Sequence, residues 1–251
     1  MNTAADFAGI SRQIREILGL ESEPVAIYLI APKAVPDHPA ASFDRAPGHR
    51  YCQLLMRARR NERVRLTERD LACPAAAAAF GWKQLPASLA SGAGLVGFGI
   101  VAEAETGHTM FADMPRLPYG AISEIAACPL ALAPALPDVI VVEGRPEQLM
   151  WLLLADLNVS GGRRRRADTA VLQATCVDAT IIPHLEGRMN FTLGCYGCRE
   201  ATDLGPEETV IGFPGQHLEA LGRALGSLNA KAISRSRSRS ALKTLTKDVL
   251  P

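Results

Sequence analysis

The sequence predicts an α/β protein with a single layered mixed sheet, flanking helices and a disordered basic C-terminal tail. Short apolar runs, typical of buried strands, alternate with amphipathic segments that are typical of helices. Two strand–turn–helix units, at residues 137–157 and 208–225, follow this pattern most clearly and indicate layered α/β packing. The final residues are rich in Ser, Arg and Lys. We therefore expect one α/β domain over residues 1–230 and a tail over residues 231–251.

The N-terminal part of the chain predicts two helices around a buried strand. Residues 7–19 place isoleucines at helical spacing, and "EPVAIYLI" (23–30) predicts a buried strand that a Pro-rich loop ends. "YCQLLMRARRNE" (51–62) predicts a helix with Cys52 on its apolar face. Thr67 is the expected N-cap of a further helix, which Pro74 interrupts.

The C-terminal part repeats a strand–turn–helix order. In residues 137–157 a β-branched run is followed by a Gly turn and by Pro146, which suits the first turn of a helix. Residues 167–180 predict a helix that contains Cys176, and "MNFTLGC" predicts a strand. "ETVIGFPGQHLEALGRAL" (208–225) predicts the second strand–turn–helix unit.

Composition and charge exclude several classes of protein. The 251 residues are 48% hydrophobic but contain no apolar run that approaches the length of a membrane span. The first residues lack the features of a secretory signal, so we expect a cytoplasmic protein with no membrane partner. The tail has a net charge of +5, and the remaining 21 basic and 25 acidic residues give −4. This balance does not favour nucleic-acid binding.

Two segments resemble anion-binding patterns without their required context. "SGAGLVGFG" contains Gly92-x-Gly94-x-x-Gly97, but no strand precedes it and "FGIVAEAE" is more typical of a strand than of a helix start. A tightly packed glycine loop is the alternative. "SGGRRRRAD" (160–168) could cradle an anion, although arginine runs at loop-to-helix junctions are more often solvated. The five histidines are scattered and show no metalloenzyme pairing.

The cysteines carry the most chemical information. There are six of them, and a disulfide framework is not expected in a cytosolic protein. Cys73-Pro74 and Cys128-Pro129 place Pro after Cys, as the last ligand of many iron–sulfur sites does. Cys195-x-x-Cys198 lies in the glycine-rich turn of "NFTLGCYGCRE". These contexts favour a thiolate-ligated site, while a redox dithiol and plain packing remain alternatives.

The order of several blocks resembles a known family. The blocks are "EPVAI", "YCQLLMRAR", "CPAAAAAFG", "PDVIVVEGRPEQLMWLLLA", "ATCVDA" and "NFTLGCYGCRE". They are similar, over about residues 10–228, to the archaeal Cys-rich group also called domain of unknown function 169. The family has no established activity to carry over. The resemblance implies a set of cysteines with small and basic residues around the last: Cys52, Cys73, Cys176 and Cys195, with Gly194, Gly197 and Arg199. It implies that Cys128 and Cys198 are peripheral.

Three functional hypotheses follow. In the first, those four cysteines hold a [4Fe–4S] cluster, with Cys198 or Cys128 as a spare ligand and with Arg199 and the Gly194–Gly197 backbone tuning it. The protein would then transfer electrons to a redox partner or act as an oxidoreductase on a small molecule. The second is a structural Cys₄ zinc domain that binds a partner. The third is a thiol enzyme that uses Cys195 and Cys198 as a redox pair.

Overall fold

The computed structural model describes residues 6–237 and contains a seven-stranded sheet. The strands are β1 (Val25–Ile30), β2 (Asp44–Arg45), β3 (Val64–Thr67), β4 (Glu124–Pro129), β5 (Val139–Gly144), β6 (Asn190–Thr192) and β7 (Thr209–Pro214). Their order across the sheet is β2-β3-β4-β1-β5-β7-β6. Neighbouring strands are antiparallel except β2 and β3, which are parallel. The predicted mixed sheet of an α/β fold is confirmed.

Helices cover both faces of this sheet. The α-helices are α1 (Phe7–Leu18), α2 (Tyr51–Arg59), α3 (Pro74–Ala79), α4 (Ala87–Ala90), α5 (Ala93–Gly97), α6 (Ala104–Ala112), α7 (Pro146–Ser160), α8 (Ile182–Glu186), α9 (Tyr196–Ala201), α10 (Leu218–Leu228) and α11 (Ser234–Arg237). Short 3₁₀ turns lie at Pro32–Asp37, Pro39–Ser42, Leu130–Leu132 and Gly215–His217, and π-helical segments at Ala174–Ile181 and Asn229–Ile233.

The central strand β1 shows how the chain builds two cores. All six of its residues are buried, and alternate side chains point to opposite faces. Val25 and Ile27 pack into a core formed with α2, α3 and the first π-helical segment, whereas Ala26 and Tyr28 pack into a core formed with α1, α7 and α10. A strand buried on both faces needs apolar residues throughout, which explains the unbroken run "VAIYLI".

The clearest sequence patterns correspond to observed elements. The helix expected at 7–19 is α1, and the strand expected at 23–30 is β1. Both strand–turn–helix units are present, as β5–α7 and as β7–α10. At α7 the predicted Pro146 is the first helical residue. Each unit buries its strand and one face of its helix in the same core. The apolar run of the strand and the 3.6-residue period of the helix are therefore both clear in the sequence.

Three local predictions were wrong. Thr67 does not cap a helix but ends β3, where its N–H and hydroxyl donate to Asp70, and the helix begins only at Pro74. The helix predicted at 167–180 begins at Ala174 and has π geometry. The segment "FGIVAEAE" (98–105), which is more typical of a strand, forms turns and bends up to residue 103, and α6 begins at Ala104. In each case tertiary contacts outweigh weak local propensity.

The C-terminal boundary differs from the expected one. The chain remains helical after α10, and Ile233 is completely buried, so packed structure continues past residue 230. The predicted disorder of residues 238–251 lies outside the described residues. Within residues 6–237, no helix has the length and apolar character that crossing a membrane requires.

Candidate functional site

A cavity of about 430 Å³ lies beside the sheet, between α2, α3, α5, the π-helical segment 174–181 and α9. Five of the six cysteines line it: Cys52, Cys73, Cys176, Cys195 and Cys198. They come from four separate stretches of the chain. The structure thus brings all the cysteines of the predicted ligand set to one cavity, although the ligand role itself stays a prediction.

Cys52 lies in the first turn of α2, which is fixed at both its start and its face. Gln53 accepts a hydrogen bond from the Arg50 N–H at 2.9 Å, satisfying a backbone donor outside the helix. The buried Tyr51 hydroxyl lies 2.8 Å from the Thr180 hydroxyl on the π-helical segment. This bond holds α2 against the segment that carries Cys176, so two of the cysteine-bearing elements are joined directly.

Cys73 is the residue before α3, and Pro74 occupies the first helical position. Proline suits this position because its missing N–H would have no partner within the helix. All five alanines of α3 are buried. Their small side chains let the helix approach the core closely, which places Cys73 at the cavity wall.

Cys176 lies in a π-helical segment. This geometry is rare in proteins, and where it occurs it is often at a functional site. Gln173, which precedes the segment, has φ +56°, in the left-handed region that non-glycine residues seldom adopt. The segment packs against Gly212 of β7, where a Cβ would lie 1.7 Å from the Ala179 carbonyl oxygen. Only glycine permits this approach, so β7 determines where Cys176 lies.

Cys195 and Cys198 form the most compact part of the site. Cys195 is the N-cap of α9, and its Sγ accepts hydrogen bonds from the N–H groups of Cys198, at 3.1 Å, and Ala174. The two Sγ atoms are 2.9 Å apart. The Thr175 hydroxyl lies 3.0 Å from the Cys198 Sγ, and Cys52 also hydrogen-bonds to Cys198. Three elements therefore meet at these sulfurs.

The residues predicted to surround Cys195 have separate tasks. Gly194 has φ +82°, and Gly197 lines the cavity while its carbonyl accepts a bond from Arg50 at 3.2 Å. The Arg199 guanidinium does not line the cavity. It donates to three carbonyls of the surrounding loop, those of Leu193 and Gly205 at 2.5 Å and Glu208 at 2.7 Å. These bonds hold the turn that carries Cys195, and the tuning role of Arg199 at a cofactor stays a prediction.

Cys128 is separate from this group. It lies in β4 and is buried in the core on the opposite face of the sheet, near Tyr28. The sequence resemblance placed it outside the main set, and its Pro129 neighbour belongs to the strand rather than to a cavity turn. Cys128 cannot serve as a spare ligand without rearrangement of the sheet.

Three of the cavity thiols, Cys176, Cys195 and Cys198, have a raised pKa. The hydrogen bond with Cys198, followed by burial, raises the pKa of Cys195. Burial, followed by the neighbouring Cys73, raises the pKa of Cys176. For Cys198 the bond from Cys195 acts to lower the pKa, but the bond with Cys52 and burial outweigh it and give a value of about 12. A cation that binds here must therefore displace protons, so its affinity will rise with pH.

The cysteines surround a space rather than a point. Within residues 6–237, no group of three or more His, Cys, Asp or Glu side chains is arranged to hold a single metal ion. A Cys₄ zinc site would need four sulfurs about 2.3 Å from one centre. The cavity also exceeds the volume of one ion and falls among ligand pockets, which measure about 300–1,000 Å³.

The sequence did not predict the apolar half of this cavity. Leu89, Leu95, Phe98 and Ile100 come from the glycine-rich segment. At Gly92, with φ +79°, a Cβ would lie 1.9 Å from the Ala104 carbonyl oxygen. The tight-packing alternative to a nucleotide fingerprint is therefore what the structure shows. The leucine and phenylalanine spacing gave only a weak signal, because the helices here span four or five residues.

The other sequence candidates lie away from the cavity. No histidine lines it; the His108 Nδ1, for example, pairs with the Ala90 carbonyl oxygen at 2.7 Å. In the arginine run, Arg165 forms an ion pair with Asp156, and Arg166 pairs with Asp168 at 2.9 Å. These exposed or half-exposed arginines match the solvated alternative rather than an anion cradle.

Comparisons with known proteins match the chain to a family and to a relative. The model of domain of unknown function 169, described as uncharacterised ArCR, matches residues 13–223. The uncharacterized protein MJ0308 of Methanocaldococcus jannaschii is 28% identical over 217 residues, which cover 86% of this chain and 91% of that protein. No solved structure matches the chain.

Proposed function

The chain belongs to the uncharacterised ArCR family, domain of unknown function 169, and we propose that it is an iron–sulfur protein. The observation that carries this proposal is the meeting of five cysteines from four chain segments at one cavity. Cysteines that served only packing would be distributed through both cores, as Cys128 is. The proposed cluster is [4Fe–4S], and its proposed ligands are Cys52, Cys73, Cys176 and Cys195.

The donor set and its surroundings suit such a cluster. Thiolates are the ligands that hold iron–sulfur clusters, and N–H groups directed at sulfur tune them. Cys195 already accepts two such N–H bonds. Cys52 lies in the first turn of α2 and Cys176 in the first turn of the π-helical segment, where the partial positive charge of a helix N-terminus favours a thiolate.

The arrangement favours a cluster over a single zinc ion. The described cysteines show no group preformed around one ion, whereas a cluster has several metal centres and suits thiols spread around a cavity. A Cys₄ zinc site would require the segments to close toward a common centre. Elemental analysis of the purified protein separates the two proposals directly.

The proposed role is electron transfer, or reduction of a small molecule, in the cytoplasm. A bound cluster would supply electrons one at a time. The chain itself would contribute a largely apolar cavity that limits contact with water, and Thr175 together with the Cys198 and Ala174 N–H groups would hold the sulfurs in place. A separate redox partner protein or a small-molecule substrate would receive or supply the electrons.

Anaerobic purification with iron and acid-labile sulfide assays tests this proposal. We expect about four irons and four sulfides per chain, and a paramagnetic signal after one-electron reduction. Replacing Cys52, Cys73, Cys176 or Cys195 individually with Ala should lower the iron content sharply. Cys128→Ala is the matched control, because it removes a buried thiol outside the cavity, and it should retain iron.

Two results would refute the iron–sulfur proposal. One is protein that holds no iron after anaerobic reconstitution. The other is a Cys128→Ala variant that loses as much iron as the four cavity variants. Stoichiometric zinc in place of iron, lost to a chelator together with the fold, would favour the structural zinc site instead.

A redox dithiol is a second candidate, and the 2.9 Å separation of the Cys195 and Cys198 Sγ atoms favours it. In this case both thiols would lose a proton and an electron to a disulfide oxidant, forming one Cys195–Cys198 bond and a reduced dithiol. The raised pKa values of both thiols oppose rapid attack. If this candidate is correct, Cys198→Ala abolishes turnover; if the cluster proposal is correct, Cys198→Ala retains most of the iron.

A further inference from the structure

Part of the cavity lining consists of apolar side chains, which cannot ligate a metal. The glycine-rich segment contributes Leu89, Leu95, Phe98 and Ile100 to the lining, and Leu172 lines the cavity as well. Phe98 is 75% exposed although it lines the cavity, and Tyr196, on α9, is 67% exposed. Two exposed aromatic rings thus line a space that is otherwise apolar. Such a wall is typical of a pocket that binds an organic molecule.

The charged residues of the lining cancel each other. They are Arg50 and Glu200, whose side chains form an ion pair at 3.3 Å, and Arg50 also donates to the Gly197 carbonyl. No other Lys, Arg, Asp or Glu lines the cavity. A phosphate or carboxylate ligand would have no unpaired cation to meet, and burying its charge here would be unfavourable. The lining therefore suits an uncharged ligand.

The Gln173 amide is a polar group of the lining that is available to a ligand. It makes no hydrogen bond with any residue in the described range 6–237, and the Gln173 carbonyl oxygen accepts a bond from the Cys176 Sγ at 3.4 Å. The Gln173 backbone has φ +56°, a conformation that glycine would adopt more readily. Strained non-glycine residues of this kind cluster at functional sites. The amide of this strained residue is therefore free to bind a ligand.

We propose that the cavity binds a small uncharged molecule with an apolar body and one carbonyl, amide or hydroxyl group, which the Gln173 amide hydrogen-bonds. The apolar body lies against Leu95 and Phe98, and the polar group is directed toward the cysteine end. This inference rests on the proposed function, since it makes the molecule a substrate or effector of the metal group. To the proposed function it adds a class of substrate, small uncharged molecules, and a residue that determines specificity, Gln173.

Matched pairs of neutral and anionic probes test the class of ligand. The pairs are benzamide with benzoate, and cyclohexanecarboxamide with cyclohexanecarboxylate, which share a body and differ in charge. Saturation-transfer NMR and calorimetry would measure binding to the anaerobically purified protein, before and after iron reconstitution. We expect the neutral member of each pair to bind about tenfold more tightly or better, as removal of a charge penalty implies.

Variants test the residues. Gln173→Gly should weaken amide binding about tenfold, the effect of one hydrogen bond, while the thermal midpoint stays the same or rises because glycine accommodates the backbone. Phe98→Ala should weaken binding of both neutral probes. Tyr119→Ala removes an aromatic ring that is 82% exposed and lies outside the cavity, so it should leave binding unchanged.

The outcomes separate this inference from the cluster proposal. Iron content is measured on the same samples. Protein that binds the neutral probes but holds no iron refutes the cluster proposal alone. Protein that holds iron but does not bind the neutral probes refutes this inference alone. Equal or tighter binding of the anionic probes, or wild-type affinity in Gln173→Gly, also overturns it.

Discussion

A buried charge cluster makes the stability of this protein depend on pH in an unusual direction. Arg59, at the end of α2, is 7% exposed and lies 2.7 Å from Glu143 on β5. It also pairs with Asp203, which follows α9, and lies 4.0 Å from Glu208. One buried guanidinium therefore faces three carboxylates. The cluster joins α2, which carries Cys52, to the loop after α9.

Glu143 is a carboxyl group of this cluster with a raised pKa. Burial raises its pKa from 4.5 to about 7. The positive charge of Arg59 acts to lower this pKa, whereas the negative charges of Glu208 and Asp203 add to the increase. Between these values the folded protein keeps a proton that the unfolded chain has lost. The stabilising contribution is thus complete below pH 4.5 and is lost as pH rises toward 7. The difference corresponds to about 3 kcal/mol.

Glu143→Gln isolates this effect, because the amide has the size of the protonated acid and does not ionise. Relative to wild type, we expect the variant to gain about 3 kcal/mol in free energy of unfolding between pH 4.5 and pH 8. Urea unfolding at several pH values, followed by the fluorescence of the buried Trp82 and Trp151, measures it.

Asp203→Asn provides a control of opposite sign. Burial acts to raise the pKa of Asp203, but its ion pairs with Arg59 and Arg60 outweigh burial, and the pKa lies below its ordinary value. Asp203→Asn should therefore become more destabilising as pH rises toward 3.8, and its effect should stay constant between pH 4.5 and pH 8. A Glu143→Gln effect that is constant with pH, or that changes in the same direction as that of Asp203→Asn, would refute the reasoning.

Two further predictions concern the backbone that positions the cysteines. Arg199→Met removes three charge-assisted hydrogen bonds and should lower the free energy of unfolding by about 2–4 kcal/mol. Iodoacetamide should then label Cys195 faster than in the wild type. Unchanged labelling would contradict the positioning role of Arg199. Gly212→Ala would place a Cβ 1.7 Å from the Ala179 carbonyl oxygen and should lower the free energy of unfolding by about 4 kcal/mol or more in the same denaturation assay. Gly97→Ala in α5 is the control, because a Cβ there would have no atom within 4 Å, and it should not destabilise the protein.

The strong local patterns of the sequence were sufficient for part of the fold. The β-branched run before Pro146 predicted β5 and α7, because burial on both faces of a strand and on one face of a helix imposes distinct periods. β3 and β4 were not predicted. β3 has four residues, and the "EIAACP" sequence of β4 is rich in small residues that fit many environments. Their pairing with β1 and with each other defines them.

The sequence by itself determined the α/β class and the family, and it predicted a set of cysteine ligands. Their spacing in the chain does not say whether they meet, since residues 52, 73, 176 and 195 are joined by segments whose paths depend on strand order. Only the tertiary structure decided that they line one cavity, that Cys128 lies across the sheet and that Arg199 faces a loop. The physical reason is that these positions follow from close contacts between distant residues, such as Gly212 with Ala179, which no local pattern encodes.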